Sequence, residues 1–559
     1  MVTVRIRVSR RMRWFPHLLG RRSFLRCGVV DDPSRSGVRL AEVLASLSLG
    51  IDLGFGQPME HVLRQCRITM GLCDLLGVDD ETRAAAYYSA LLVNVGCHTD
   101  AHEQVQWFGD DISFKATKYV DSKNKLAEVT GMLRMLGAGA PPLHRLRVAF
   151  AFALGGHREA EAMIAQHARR ARSLAEELGL EMPVLDALGA SYERWDGKGW
   201  PGDLAGSKIP LAARVIQVAE FVEVAHRDRG IDAAVAFAER GAATQFDPNV
   251  VACLCADPDK VFAGLDEVGS WGAVLDEEPV LHHLSNDELD LALAAIGRYV
   301  DLKTPCTVGH SDALAALVSE AASHLNLTAV DRQHLRRAAL TAGYGRLGVS
   351  NTIWDKPGPL TVAEWERVRL APQLAERMLR QSSTLAPVAR IVAHLRERLD
   401  GSGYPSGVEG SAITPAARLL AVADVYQAMI EPRPHRDALS PADAARELKA
   451  EVRRGRLDAQ AVEAILATAG QPTRRRRTNV ADLTSRELEV LRLAARGLSN
   501  REIAQRLTIT PKTAGNHIEH IYTKIGETSR AGAALFAMRN GLMTAQDDDT
   551  FPELDVKRP

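Results

Sequence analysis

The chain has 559 residues, of which 46% are hydrophobic and 25% are charged, and its formal net charge is −1. This composition is typical of globular protein, and the length predicts about three or four domains. Seven Cys without CxxC spacing argue against a disulfide scaffold or zinc ribbon, and no apolar run approaches the ~18 residues of a spanning helix.

The N-terminal segment is strongly basic. Its first thirty residues contain eight Arg and no acidic residue. The phrase RRSFLR at 21–26 resembles a twin-arginine export signal, but the apolar stretch that such a signal requires does not follow it. We therefore expect residues 1–36 to form a basic, disordered extension. Because the cysteine usage argues for a reducing compartment, we expect a cytoplasmic protein without a membrane partner.

Helical periodicity runs through most of the remaining chain. The helices predicted in the first half span residues 40–53, 59–76, 81–95, 158–178 and 212–227. Those predicted in the second half span residues 287–302, 311–325, 331–342, 362–380 and 416–429. No segment alternates convincingly as a strand, so the predicted fold class is all-α.

One Gly- and Pro-rich phrase occurs twice. Residues 193–214 and 397–418 align without a gap, and 12 of the 22 paired positions are identical. His61 and His310 form an earlier matching pair, so the offset falls from 249 residues to 204. A duplicated domain explains both matches, with about 45 extra residues within 97–157 of the first copy. We predict the copies at 37–265 and 283–470.

The C-terminal end is basic and contains helix-start signals. Residues 474–543 carry 13 Lys and Arg against 6 Asp and Glu, which suggests a polyanionic partner. Three residue pairs mark helix starts: Thr484 with Glu487, Ser499 with Glu502, and Thr510 with Pro511. With a fourth helix over 529–540, this predicts a helix-turn-helix domain at 480–545. A basic linker at 471–479 precedes it, and a disordered tail at 546–559 follows.

The segment GLSNREIA at 497–504 and the segment TAGNH at 513–517 carry a resemblance to the LuxR-type DNA-binding domain. The resemblance implies a four-helix domain that binds double-stranded DNA with a recognition helix over 512–524 in the major groove. It implies the following DNA-contacting residues: Lys512, Thr513, Asn516, His517 and His520 on the recognition helix, with Lys524 and Arg501 on phosphates. A homodimer on DNA is expected, with 531–538 as its surface, although that apolar run could equally be core. The alternative is a four-helix bundle that binds protein.

The phrase DGSGYP at 400–405 and the segment WDKPGPL at 354–360 carry a resemblance to the HD-GYP domain. The first copy is a more distant version, with Gly-Trp-Pro at 199–201. The resemblance implies an all-helical phosphohydrolase fold. Its active members hydrolyse cyclic di-GMP with two or three metals held by His and Asp side chains.

Both copies depart from the ligand pattern that this resemblance implies. The positions that no longer carry His or Asp are Ala342, Gly343, Ala371, Leu395 and Arg396 in the second copy, and Val93, Asn94, Ser191 and Tyr192 in the first. His310 and Asp424 remain in the second copy, and His61 and Glu220 are their counterparts. We interpret His310 as a satisfied helix residue and Asp424 as the partner of an N–H group or an Arg.

This pattern predicts two degenerate repeats that act as sensory or scaffold domains in a transcriptional regulator. It predicts no enzymatic activity, no catalytic residue and no cofactor, while a pocket could still bind a nucleotide or another small anion as effector. The alternative is a metal-dependent phosphohydrolase, similar to a cyclic di-GMP phosphodiesterase, fused to a DNA-binding domain. One cluster leaves a metal site open as the weaker alternative to a polar surface loop: His98, Asp100 and His102 lie close together after the lost pair of the first copy.

Overall fold

The computed structural model describes residues 37–119, 131, 134–139, 141–267, 269–470, 480–481 and 483–543. The predictions for the N-terminal extension, the linker at 471–479 and the tail at 546–559 fall outside these residues. Within the described ranges, strand is confined to an antiparallel pair, β1 (Val38–Arg39) with β2 (His283–Leu284), in which Val38 faces Leu284. The predicted all-α class is confirmed. None of the described helices is both long and apolar enough to cross a membrane.

The helices follow one another in three groups along the chain. The first group is α1 (Leu40–Gly54), α2 (His61–Leu76), α3 (Asp80–Leu92), α4 (Ala101–Phe108), α5 (Asp111–Ala116), α6 (Pro142–Ala151), α7 (His157–Glu177), α8 (Met182–Gly189), α9 (Leu211–Arg229), α10 (Ile231–Gly241), α11 (Pro248–Ala256), α12 (Pro258–Val261) and α13 (Ser270–Asp276). The second group is α14 (Asn286–Asp301), α15 (His310–Ala321), α16 (Ala329–Thr341), α17 (Asn351–Trp354), α18 (Val362–Leu379), α19 (Ala386–Ala393), α20 (Pro415–Ile430), α21 (Pro441–Arg453) and α22 (Ala459–Ala469). The third group is α23 (Ser485–Ala495), α24 (Asn500–Arg506), α25 (Pro511–Ile525) and α26 (Arg530–Arg539).

Short tight turns of helix connect several of these elements. They are the 3₁₀ segments Val95–His98, Thr117–Tyr119, Gly206–Lys208, Pro305–Thr307, Ala322–His324, Tyr344–Gly348 and Gly410–Ala412, and the π-helical segment Phe152–Gly156.

The two repeats pack their equivalent helices in the same way. In each repeat, the helix that begins at a buried His packs on the helix that follows the Gly- and Pro-rich loop, α2 on α9 and α15 on α20. The next pairs are also equivalent, α3 with α8 and α16 with α19. The duplication inferred from the repeated phrase is therefore visible in the packing of the core.

The repeats are joined by more than their linker. Helix α1 packs on α18 and on the Tyr344–Gly348 turn of the second repeat, and α14 packs on α7 of the first. A Cβ added to Gly50 of α1 would lie 2.4 Å from Met378 Cε, so a larger residue here would displace the flexible end of the Met378 side chain. One continuous hydrophobic core includes both repeats and the C-terminal domain. The predicted domain boundaries stay predictions.

The insertion in the first copy contributes a buried carboxylate to the joint between the repeats. The Asp111 carboxylate accepts hydrogen bonds from Lys115 Nζ at 2.9 Å and, across the joint, from Lys303 Nζ at 3.2 Å and the Asn351 amide at 2.9 Å. Burial would raise the pKa of Asp111, but Lys303 and Lys115 hold it well below its usual range. Asp111 therefore carries its charge inside the joint, matched by two ammonium groups.

The repeated phrase forms the same loop in both copies because its first Glu holds the loop's backbone. Glu193 accepts hydrogen bonds from the amides of Gly202, Asp203 and Leu204 at 2.8–3.2 Å. Glu397, at the equivalent position, accepts those of Ser406 at 2.8 Å and Val408 at 3.1 Å. These carboxylates satisfy amides that the tight loop cannot pair with other backbone groups.

A glycine in each loop allows the chain to pass close to itself. A Cβ on Gly199 would lie 2.4 Å from the Arg194 amide nitrogen, and one on Gly403 would lie 2.4 Å from that of Arg398. No side chain fits at such a distance from backbone. The shared Glu and Gly of the repeated phrase are thus explained by the geometry of the loop.

The C-terminal domain has the predicted helix starts and docks on both repeats. The capping boxes at Thr484 and Ser499 are both formed, which confirms those predictions. Arg170 of α7 donates to Glu527 Oε2 at 3.1 Å, and Arg539 of α26 donates to Glu177 Oε2 at 2.8 Å. A third contact lies on the second repeat, as described next.

The third docking contact is a close packing of backbone on a proline ring. Gly497 has a φ of +85°, and a Cβ added there would lie 2.3 Å from Pro305 Cβ. The turn between α23 and α24 therefore rests directly on the Pro305–Thr307 segment of the second repeat.

Replacing Glu397 by Ala should destabilise the second repeat. The change leaves the amides of Ser406 and Val408 without their acceptor, and a lost hydrogen bond to a charged group costs about 1–3 kcal/mol. Urea unfolding of the full chain measures the loss. Glu409→Ala is the matched control, because this Glu is exposed on the same loop. Equal stability of the two variants would contradict the role assigned to Glu397.

Candidate functional site

The second repeat contains a cavity of about 700 Å³ between α15, α18 and α20. The positions that the HD-GYP resemblance assigns to metal ligands all line it: His310, Ala342, Gly343, Ala371, Leu395, Arg396 and Asp424. These residues come from segments spread over more than a hundred positions of sequence. The fold therefore brings the predicted site together, although most of its side chains are not metal ligands.

Asp424 lies at the base of this cavity and is paired with two cationic groups. Its Oδ2 lies 2.8 Å from Arg396 Nη1, and its Oδ1 lies 3.3 Å from His310 Nε2. Burial alone would raise the pKa of Asp424, but the Arg396 guanidinium and His310 hold it well below its usual range. This ion pair with Arg396 corresponds to one of the two roles expected of Asp424.

His310 uses both ring nitrogens. Nδ1 lies 2.8 Å from Glu431 Oε2, and Nε2 faces Asp424. Burial disfavours the charged ring, but Glu431 and Asp424 raise the pKa of His310 to about 9. The imidazole is consequently protonated at neutral pH and is a satisfied residue, as predicted.

Arg346 is a cation of this cavity whose guanidinium has no carboxylate partner and, unlike that of Arg436, donates to no backbone carbonyl among the described residues. Its Cζ lies 5.2 Å from the centre of the Trp354 ring. Within the part of the chain that the structure describes, no acceptor for its guanidinium N–H groups lies within hydrogen-bond distance. Burial, together with the like charges of Arg433 and Arg396, lowers its pKa. Arg346 thus presents free donors to the cavity.

The metal ions implied by the HD-GYP resemblance do not fit these residues. Two or more ions need several imidazole and carboxylate ligands. Here His310 and Asp424 already bind each other, and a guanidinium occupies the second carboxylate oxygen. Throughout the described ranges, no group of three or more His, Cys, Asp or Glu is arranged to hold a metal.

The first repeat has a corresponding cavity of about 1030 Å³ around Glu220. Glu220 Oε1 accepts hydrogen bonds from Lys118 Nζ at 2.6 Å, Asn94 Nδ2 at 2.8 Å and Tyr119 Oη at 2.9 Å. Burial would raise the pKa of Glu220, but Lys118 and these hydrogen bonds lower it.

Aromatic rings surround the same ammonium group. Lys118 Nζ lies 4.9 Å from the centre of the Tyr192 ring and 5.8 Å from those of Phe55 and Phe221. His61 lies nearby but is paired with Glu223. The first repeat thus holds its carboxylate with an ammonium group inside an aromatic cage.

The residues of the 97–103 cluster are separated into different contacts. His98 Nε2 lies 2.8 Å from the Tyr299 carbonyl, Asp100 Oδ2 lies 2.8 Å from His167 Nε2, and His102 Nδ1 lies 2.9 Å from Asp355 Oδ2. Burial lowers the pKa of His98 to about 3, so its ring is neutral. Two of the three residues connect the repeats, and the structure does not bring them together as a metal site.

The C-terminal domain presents the predicted recognition helix to solvent. Lys512, Asn516 and His520 are exposed along one face of α25, and Thr513 and His517 border this face. Arg501 is exposed on α24. Lys524 Nζ lies 2.7 Å from Glu487 Oε2, so a phosphate contact by Lys524 would compete with this ion pair.

The apolar run at 531–538 is already covered within the chain. Ala533, Ala534, Leu535 and Met538 of α26 are buried, since the helix packs on α23 and α14. This packing corresponds to the core alternative for the run. A homodimer on DNA stays a prediction.

The structure also shows polar residues that sequence reasoning missed. Asp52 and Asp301 each accept a hydrogen bond from the first turn of the next helix, from the amides of Val62 and Ser311. Burial raises the pKa of both to about 7. Asp52 and Asp301 are 249 residues apart, as are His61 and His310, so this shared offset could have identified them from the sequence. Lys118 lies in the insertion and gave no such signal.

Comparison with known families supports both resemblances. A model described as an HD domain matches residues 157–250 and 295–461, and a model of bacterial regulatory proteins of the luxR family matches residues 481–537. The HD-type and LuxR-type assignments made from the sequence are therefore confirmed.

Individual relatives extend the match over most of the chain. The 3′3′-cGAMP-specific phosphodiesterase 3 of Vibrio cholerae is 30% identical over 405 residues, which is 72% of this chain and 88% of that protein. A cyclic di-GMP phosphodiesterase of Pseudomonas aeruginosa is 38% identical over 145 residues, which is 25% of this chain and 34% of that protein.

A solved structure agrees with these relatives. The crystal structure of a cyclic GMP-AMP-specific phosphodiesterase of V. cholerae is 26% identical and has a TM-score of 0.55, covering 78% of this chain and 99% of that one. These matches contradict the prediction that the chain is not an enzyme, because relatives of this extent are phosphodiesterases. The prediction counted ligands at the family's metal positions, whereas the similarity extends through the whole helical body. The chain belongs to the family of HD-domain phosphodiesterases represented by the V. cholerae protein, and it carries a LuxR-family domain at its C-terminal end.

Proposed function

We propose that the chain binds a cyclic dinucleotide in the cavity of the second repeat and binds DNA through its LuxR-type domain. The observation that carries the first half is the positive charge of the cavity. Its lining contains five Lys and Arg residues (Arg346, Lys356, Arg396, Arg433 and Arg436), and Asp424 is the one carboxylate among the described lining residues. A ligand with two phosphodiester groups matches such a surface.

The cations of the cavity differ in their readiness to contact an anion. Lys356 is bound to Glu364 at 2.7 Å, Arg433 to Glu431 at 2.8 Å, and Arg436 donates to backbone carbonyls such as that of Met429. Arg346, whose guanidinium faces the cavity without an acceptor, is the group best placed to receive a phosphate. A guanidinium binds phosphate with two parallel hydrogen bonds, so one side chain can both attract and orient it.

Aromatic side chains of the same cavity suit a nucleobase. Trp354, Trp365 and Tyr404 line it, and the Trp365 side chain is among the exposed large hydrophobic groups. Stacking of a base on an aromatic ring is worth about 1–3 kcal/mol. The cavity volume also falls in the range of about 300–1,000 Å³ that small-molecule sites occupy.

Hydrolysis of the bound dinucleotide is a second candidate function, favoured by the phosphodiesterase relatives. The groups of this chain that could serve the reaction are the protonated His310, as a proton donor, and the guanidinium groups of Arg346 and Arg396. Fixed positive charge beside a phosphodiester stabilises the negative charge that develops in its transition state.

DNA binding is supported by the exposed face of α25 and by the luxR-family match. We expect the domain to regulate transcription in response to the ligand of the second repeat. The docking contact of Gly497 on Pro305 connects the DNA-binding domain directly to the second repeat. Pro305 precedes Cys306, whose carbonyl accepts a hydrogen bond from Arg433 of the cavity.

We expect replacement of Arg346 by Ala to weaken cyclic-dinucleotide binding by about 10- to 100-fold, since a charged hydrogen bond is worth about 1.5–3 kcal/mol. Calorimetric titration of the full chain with 3′3′-cGAMP and with cyclic di-GMP measures this loss. Arg369→Ala is the control, because Arg369 is exposed on α18 and does not line the cavity. Failure of the unchanged chain to bind either dinucleotide would contradict the proposal.

If the second candidate function holds, the chain converts the cyclic dinucleotide to a linear product that chromatography separates. Arg346→Ala should reduce this turnover along with binding, and Arg369→Ala should not. Tight binding without any product would exclude hydrolysis while leaving the proposed binding function in place.

DNA binding should fall steeply with salt, because each Lys or Arg contact to phosphate releases counterions. Lys512→Ala should weaken binding to all sequences and reduce the salt slope by about 1, whereas Asn516→Ala should reduce discrimination between sequences. Lys449→Ala removes the same charge from an exposed site of the second repeat and serves as the control. Equal affinities of the Lys512 and Lys449 variants at every salt concentration would be evidence against α25 as the DNA-binding helix.

A further inference from the structure

We infer that a side-chain cation takes the place of the metal ions in each repeat: Arg396 beside Asp424 in the second, and Lys118 beside Glu220 in the first. The second repeat is thereby a phosphodiester-binding site that works without a divalent metal. The part of this inference that concerns the ligand rests on the proposed function, whereas the part that concerns the metal does not.

The two carboxylates occupy equivalent places in the fold. Asp424 lies on α20 and Glu220 on α9, exactly one repeat offset of 204 residues apart in sequence. Their side chains are 2% and 3% exposed, so neither charge is screened by bulk water. A buried carboxylate without a cation would be costly, and each of these two has one.

The two cations come from unrelated parts of the chain. Arg396 immediately precedes the repeated phrase, at a position where the HD-GYP resemblance implies a metal-binding His. Lys118 belongs to the insertion that the second repeat lacks. Inheritance of one ancestral ion pair cannot explain this difference. The common requirement is a positive charge beside the carboxylate, met by different side chains.

The positions next to these ion pairs, where the HD-GYP resemblance implies further metal ligands, also carry other residues. Asn94, at the signature position of the first repeat, accepts a hydrogen bond from Lys118 Nζ at 3.2 Å and donates one to Glu220 at 2.8 Å. In the second repeat, Ala342 and Gly343 leave that side of the cavity without a ligand atom. Each site is therefore adapted to its side-chain cation.

The two repeats differ in how their cation can contact a phosphodiester ligand. Lys118 is enclosed by aromatic rings and by Glu220, Asn94 and Tyr119. Arg396 is about as exposed (25%) as Lys118 (22%), but it lies near a second guanidinium, that of Arg346, in its cavity. A phosphodiester can therefore meet two guanidinium groups in the second repeat, and the second repeat alone of the two is expected to bind the dinucleotide.

The metal part is tested on the full chain after dialysis against EDTA, with Mn²⁺ or Fe²⁺ added back. We expect the melting temperature to stay unchanged and elemental analysis to find no stoichiometric metal. A rise in melting temperature together with one or more bound ions per chain would overturn the inference.

Variants at Arg396 sharpen this test. Arg396→Ala removes the guanidinium from Asp424 Oδ2 and leaves His310 as its remaining partner, so we expect a lower melting temperature that Mn²⁺ partly restores. Arg396→Lys keeps a positive charge and should remain insensitive to Mn²⁺, as should the control Arg390→Ala on the exposed side of α19. Insensitivity of a folded Arg396→Ala variant to Mn²⁺ would contradict a metal-replacing role. If Arg396→Ala does not fold, the Arg396→Lys variant decides: Mn²⁺ sensitivity there overturns the inference, and insensitivity supports it.

The ligand part is tested by titrating the same preparation with 3′3′-cGAMP in EDTA and then in Mn²⁺. We expect dissociation constants that agree within about twofold, because the phosphates are bound by guanidinium groups. Binding that appears only with Mn²⁺ would overturn the inference and leave the proposed function standing. Absence of binding under both conditions would contradict the proposed function, and the metal measurements would still decide the role of Arg396.

Discussion

A carboxylate removed from water must be offset by positive charge or by hydrogen-bond donors, and this constraint organises the interior of the protein. Moving a carboxylate into a low-dielectric interior costs several kcal/mol unless a partner and hydrogen bonds offset it. Asp424, Glu220 and Asp111 each satisfy the constraint with cations from a distant part of the sequence. Asp424 shapes the cavity of the second repeat, Glu220 that of the first, and Asp111 the joint between them.

The two repeats share the acidic residues that accept hydrogen bonds from backbone amides, but they differ in the residues that pair with the carboxylates of the cavities. Glu193 and Glu397 bind the same loop amides, and Asp52 and Asp301 receive the same helix amides. In each pair the donating amides lie at equivalent positions of the two copies, so each copy needs the same acceptor. No backbone group requires the same side chain in the two cavities. The cavity of the first repeat encloses a lysine among aromatic rings, whereas that of the second is lined by arginines.

Local sequence predicted the parts of the structure that local interactions determine. The capping boxes at Thr484 and Ser499 and the face of α25 follow from residues three or four positions apart. The packing of α1 on the second repeat, the pairing of His102 with Asp355 and the placement of Lys118 depend on contacts across more than a hundred residues, which periodicity cannot show. Enzymatic activity was misjudged because ligand residues were counted without the likeness of the whole body to phosphodiesterases.

The short connection to the C-terminal domain determines how strong its docking contacts need to be. Ten residues, 470–479, separate the last helix of the second repeat from the described start of the domain, so docking is an intramolecular event with a high effective concentration. The contacts of Arg170 with Glu527 and of Gly497 with Pro305 then act together with the packing of α26 on α14 to seat the domain. The DNA-facing side of α25 stays exposed while the domain is seated, and a change at the Pro305 turn would shift the balance between the seated and released domain.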